Sequence, residues 1–161
     1  MISRDRDAAG RARNDRPRDR LGRPLPPGSA GVARIPDDLE LPPQQTLTFA
    51  QQLLDDGLAF NAHEVLEAAW KNRPVAERML WQGLAQYAVG ITHIQRGNAK
   101  GAATLLRRAS ERLTAYPANA QHHDVDVTGV VAHAQRLLAA LDAQTSITDE
   151  QLRTSLRRTS A

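Results

Sequence analysis

From Thr46 onward apolar residues recur at three- and four-residue spacing, the period of an amphipathic helix. Leu47, Ala50, Leu53 and Leu54 share one face, which predicts a first helix capped by Thr46 and ended by Gly57. Asn61 is placed to cap a second helix running to about Asn72. Pro74 suits the first turn of a third, which continues to Arg96 and stops at Gly97. Asn98 caps a fourth, with Ala102, Leu105, Leu106, Ala109 and Leu113 on its buried face and Pro117 beyond its end. A polar loop, 118–124, precedes a fifth helix that buries Val127, Val130, Val131, Ala134, Leu137, Leu138 and Leu141. Thr148 and Gln151 have capping-box spacing, with Ile147 and Leu152 as a hydrophobic staple, so a short sixth helix is expected near the C-terminus. No segment alternates with the period of two that a half-buried strand requires.

The expected fold is therefore all-α: a compact antiparallel bundle of about five helices, plus the short C-terminal helix. Residues 1–45 lack periodicity, are rich in Arg, Asp, Gly and Pro, and read as an extended, largely disordered arm. Val32, Ile35, Leu39 and Leu41 give part of that arm the means to lie against the body. The division is an arm over 1–45, a helical domain over 46–143 and a C-terminal helix and tail over 144–161.

The third helix is apolar almost all round, through Met79, Leu80, Leu84, Tyr87, Ala88, Val89, Ile91 and Ile94, so it belongs at the centre of the bundle. Gly83 and Gly90 share a face and predict close approach of a neighbouring helix, since glycine inside a helix costs about 1 kcal/mol against alanine. The same helix carries a narrow polar stripe of Gln82, Gln86 and His93. On the second helix Phe60, His63, Glu67 and Trp70 fall on one side, with Glu64 on its flank. The short Asn72–Pro74 link makes these two helices antiparallel neighbours. His63 and Glu67 are then expected to meet the Gln86–His93 end, and Trp70 the Gln82 end.

Each member of this cluster also has a plain structural explanation. Glu64 completes a capping-box spacing with Asn61, and His63 with Glu67 is an ordinary i,i+4 pair. Phe60 and Trp70 suit a core, and the glutamines suit helix–helix hydrogen bonds. His63, Glu67 and His93 are the candidate metal ligands, but the H-E-x-x-H zinc motif would need histidine where Glu67 stands, and no third ligand is fixed. A His–Glu pair also fits a general base with its orienter. No nucleophile motif or phosphate-binding glycine loop accompanies it, and no cofactor is named. His122 and His123 are expected to face solvent from the polar loop.

Charge and composition narrow the classes. The net charge of +3 divides unevenly: residues 1–34 hold nine Arg and four Asp, 9 − 4 = +5, and the rest hold 12 Lys+Arg against 14 Asp+Glu, 12 − 14 = −2. An arginine-rich arm fits a polyanion such as nucleic acid, with Arg16, Arg18, Arg20 and Arg23 on phosphates; the plainer reading is a solvated tail. The chain has no cysteine, so disulfides and thiolate metal sites are excluded. No apolar run approaches the roughly 20 residues of a membrane span, and the charged N-terminus lacks the apolar stretch of a secretory signal. No membrane partner is expected, and the default localisation is cytoplasmic.

Three segments carry a resemblance: F-N-A-H-E-V-L-E-A-A-W over 60–70, W-Q-G-L-A-Q over 81–86 and H-I-Q-R-G-N-A-K-G over 93–101. Across about residues 47–141 the chain resembles the bacterial domain of unknown function 309 family of small all-helical proteins. The resemblance implies that fold and a shared polar cluster, carried here by His63, Glu64, Glu67, Trp70, Gln82, Gln86 and His93. It implies no reaction, substrate or cofactor, and the arm lies outside it. Three functions stay open: a small-ligand or metal pocket at the cluster, a non-catalytic interaction module in which the cluster fixes helix packing, and polyanion binding by the arm.

Overall fold

Proline opens the first helix, at a place where the missing N–H has no intrahelical partner to lose. The computed structural model describes residues 17–33, 35, 36 and 38–159. Its helices are α1 (Pro43–Asp55), α2 (Ala59–Asn72), α3 (Arg78–Gln95), α4 (Ala99–Ala115) and α5 (Val127–Asp142), and a 3-10 turn, Val75–Glu77, leads into α3. Thr46 does not cap α1; it is buried inside it, its hydroxyl donating to Leu41 O. Asn61 likewise sits inside α2 and spends its amide outward, on Ala33 O and Glu64 Oε1. Asn98 does cap α4, accepting from Gly101 N at 3.0 Å. Asp126 caps α5 in the same way, accepting from Gly129 N. Among the described residues no β-strand forms, and no helix is long and apolar enough to cross a membrane.

α3 is the central element and packs most extensively on α4 and α2. Leu80, Trp81, Leu84, Tyr87 and Ala88 are fully buried there, with Leu47, Leu66, Leu106, Val130 and Leu156 among those around them. The two α3 glycines meet α4 at close range. A Cβ on Gly83 would stand 2.7 Å from the Leu113 side chain, and one on Gly90 would stand 2.7 Å from that of Leu106. Larger residues would push those leucines off their rotamers, at about 1–3 kcal/mol each.

Within the expected extended arm, residues 17–33, 35, 36 and 38–42 form a strap against the body, as Ile35 and Leu39 allow: Ile35 is buried, and carbonyls of the strap are held by Asn61, Asn72 and Arg96. Residues 1–16 of the expected arm lie outside the described residues. The expected sixth helix is a single turn. Its capping box forms, with Thr148 N donating to Gln151 Oε1 and Gln151 N to Thr148 Oγ1, and Ile147 and Leu152 pack on the core. The chain then runs extended, because better partners lie sideways. Gln51 donates to Thr154 O and accepts from Leu156 N, while Asp126 N donates to Leu156 O and Arg158 N to Asp124 O. A helix this short is marginal in water, and burying Leu156 completely outweighs it.

Candidate functional site

The seven residues of the expected cluster are divided between two faces. On α2, His63 Nε2 lies 2.9 Å from Glu67 Oε2, and His63 Nδ1 lies 3.1 Å from Phe60 O. The His63 hydrogen bond holds the Glu67 carboxyl below its ordinary value, against burial, with Lys71 at 3.7 Å assisting. Glu64 accepts from Asn61. These side chains border a depression of about 200 Å³ that Ile35 and Pro36 of the strap close on one side. Trp70 packs against the core.

The polar stripe of α3 turns toward α4 instead. Gln86 Oε1 accepts from Arg112 Nε at 3.2 Å. His93 Nδ1 accepts from Asn98 at 3.2 Å, and burial together with the Arg96 charge lowers its basicity. Gln82 is half-buried on the same helix. The expected meeting of His63 and Glu67 with Gln86 and His93 does not occur: α3 is flanked by both α2 and α4, and its stripe takes the second neighbour. His63, Glu67 and His93 are thus not assembled as metal ligands. Among the described residues no three His, Asp or Glu side chains converge to hold a cation.

What covers the α2 motif face is the strap. Two guanidinium groups lie over the Phe60 ring, Arg18 at 5.0 Å and Arg96 at 5.6 Å from its centroid. Gly22 lies flat on that ring with φ 76°, and a Cβ there would come within 2.2 Å of it. Arg96 Nε donates to Leu21 O at 2.7 Å and Arg20 Nη2 to Asp56 O at 2.6 Å. Of the four arginines considered for phosphate, Arg18 and Arg20 are therefore engaged with the body, and Arg16 lies outside the described residues.

A second polar group was not anticipated. Glu77, 7% exposed, accepts from Arg73 through both oxygens at 3.2 Å, from Trp81 Nε1 at 3.2 Å and from His123 Nε2 at 2.6 Å. Burial pushes the Glu77 carboxyl up, and the hydrogen bonds from Arg73, Trp81 and His123 together outweigh it, so the group stays ionised below its ordinary value. His123 and Asp124 adopt left-handed backbone, φ 50° and 67°, which costs about 1–3 kcal/mol per residue and persists only where surroundings enforce it. Here Gln44 donates to His123 O, and Glu77 takes the ring. His122 and His123 are therefore built into the loop and do not simply face solvent. The Arg73, Glu77, Trp81 spacing of four was visible in the chain; the partner 46 residues on was not.

A third pair is sealed in the core. Tyr87 O–H donates to His133 Nδ1 at 2.5 Å, and His133 Nε2–H donates to Gln151 O at 2.7 Å, which fixes the neutral tautomer. Burial, together with the Arg136 charge, lowers the His133 pKa against the Gln151 hydrogen bond, and burial raises that of Tyr87.

No curated protein and no solved structure matches the chain. The family model described as Domain of unknown function (DUF309) matches residues 47–105, from α1 into α4. That span holds Phe60, His63, Glu67, Gln86, His93 and Arg96 and leaves the strap outside, and over it the chain is similar to the domain of unknown function 309 family.

Proposed function

We propose that the domain is a non-catalytic interaction module whose α2 face grips an extended, arginine-bearing segment, a place that residues 17–33, 35 and 36 fill within this chain. The observation that carries the reading is the Phe60 ring contacted by the Arg18 and Arg96 guanidinium groups, with Gly22 against it. A guanidinium over an aromatic face adds about 0.5–2 kcal/mol, and it selects arginine over apolar residues. Asn61 and Arg96 supply donors for carbonyls of the bound segment at Ala33 and Leu21. Phe60, Asn61 and Arg96 lie within the family match, whereas the occupant lies outside it, so receptor and occupant are separable parts.

Gly22→Val tests the reading in the full chain, because a side chain at φ 76° with the Phe60 ring in its path expels the strap. A fluorescent peptide of residues 17–36 then binds Gly22→Val at least tenfold more tightly than wild type, measured by anisotropy. Adding Phe60→Ala removes the binding. A folded Gly22→Val protein that does not take up the peptide overturns the reading.

A second reading has its own observation, the depression of about 200 Å³ beside His63, Glu67 and Lys71. There the module would take a small polar ligand. His63→Ala that keeps the fold and the peptide affinity but loses a ligand found by screening favours it.

A further inference from the structure

Away from the α2 face, a cleft of about 720 Å³ opens between the 118–125 loop and α5. Volumes of this size suit small organic ligands. Its apolar wall includes Leu113, Val127 and Val131, and its polar edge includes His123, Asp124 and Arg158. Two other polar groups beside the cleft are spent internally: Tyr116 O–H donates to Gln121 O at 2.6 Å, and His122 Nδ1–H donates to Ala120 O at 2.7 Å. His122 also packs edge-on against the Tyr116 ring.

Two charged groups and one imidazole nitrogen on the edge are of interest. In its neutral form with Nε2–H turned to Glu77, His123 keeps a lone pair on Nδ1. That nitrogen has no hydrogen bond among the described residues and is not among the sealed, unpartnered atoms, which are Asn61 Oδ1, Gln95 Oε1 and Ser110 Oγ. The Asp124 carboxylate and the Arg158 guanidinium form no ion pair with any described residue, although Arg158 N donates to Asp124 O at 2.9 Å. One acceptor, one anion and one cation thus border one apolar wall. The left-handed backbone at His123 and Asp124 is what brings the first two there together.

We propose that this cleft binds a free α-amino acid with an apolar side chain. The ligand carboxylate meets Arg158, its ammonium meets Asp124 and donates to His123 Nδ1, and its side chain lies against Val127 and Val131. A simple carboxylic acid would leave Asp124 and Nδ1 without a donor, and a simple amine would leave Arg158 without an anion. Only the zwitterion satisfies all three at once. Glu77 is a positioning residue here: it orients the His123 ring and does not reach the ligand.

The test is an NMR titration of the full chain with L-leucine, with N-acetyl-L-leucine and isopentylamine as controls. L-leucine is expected to shift the His123 ring and Val131 methyl signals saturably, and each control, lacking one charge, to bind at least fivefold more weakly. Asp124→Asn and Arg158→Gln change exposed side chains, so the fold persists, and each is expected to weaken L-leucine at least fivefold. Absence of saturable shifts up to about 50 mM L-leucine, a concentration that reveals even weak complexes, overturns the proposal. So does binding that both variants retain in full.

Discussion

Glu67 takes His63 from one turn away on α2, at 2.9 Å, with 37% of the carboxylate side chain exposed. Glu77 takes His123 from 46 residues away, at 2.6 Å, with 10% exposed, and adds Arg73 and Trp81 as further donors. The chemical pair is the same, but the surroundings give it different weight. Near water, the i,i+4 pair is screened and replaces hydration with little net gain. In the interior, Glu77 satisfies three donors that would otherwise be stranded, and it pins a loop whose backbone is strained. The first pair decorates a helix; the second ties α3 to the segment before α5.

Removing the inner carboxylate is expected to have the largest effect. Glu77→Ala strands Arg73, Trp81 Nε1 and His123, and should cost about 3–5 kcal/mol, the range for one partner lost from a buried pair. Chemical denaturation of the full chain measures it. A cost equal to that of His63→Ala would erase the distinction between the two pairs.

Tyr87→Phe comes next, because it leaves buried His133 Nδ1 without its donor, at about 1–3 kcal/mol. The same site carries a pH dependence. The folded His133 pKa lies below the ordinary 6.5, so the folded state binds fewer protons than the unfolded one there. Its contribution is complete above 6.5 and is lost as pH falls from there toward the folded value. Melting temperature followed from pH 7.5 to 5.5 should decline in wild type and flatten in a folded His133→Gln variant, if about 1 kcal/mol or more is linked to this proton.

At lower pH the two carboxylates separate. Both are depressed below 4.5 in the folded state, so each stabilises above that value and the stabilisation is lost as pH falls through the folded pKa. Glu77→Gln should remove more of the acid-induced decline below 4.5 than Glu67→Gln does. The smallest effect belongs to the outer pair: His63→Ala should cost only about 0.2–0.5 kcal/mol at neutral pH. A cost above 2 kcal/mol would place His63 among the groups that hold the fold, a magnitude outside the usual range of exposed pairs.

Those contrasts also explain what could be read from the chain. Helical period, Asn98 as a cap and the two close-approach glycines of α3 are local signals, and each was legible. The stripe of Gln86 and His93 was legible as a stripe, but period alone does not say which of two flanking helices a face meets. The box at Thr148 and Gln151 formed, yet Gln51 and Asp124, distant in sequence, decided that the chain beyond it runs extended. Glu77 showed its donors four residues away on either side and hid His123, since nothing local marks a contact across 46 residues. The α2 motif was visible as a polar face; that an arginine-bearing strap lies on it depends on tertiary contacts from Arg18 and Arg96.

Leu156 has a consequence in time. Its amide bonds to Gln51 across 105 residues, whereas α2, α3 and α4 meet across short turns. Contacts between near neighbours close first, and distant ones wait until the intervening chain is already ordered. The hairpins of α2, α3 and α4 are therefore expected to form the early nucleus, and the 154–158 segment to dock late. Interactions made after the rate-limiting step set the unfolding rate and leave the folding rate nearly unchanged. The burial of one leucine thus governs how long a folded molecule lasts, and hardly how fast it is made.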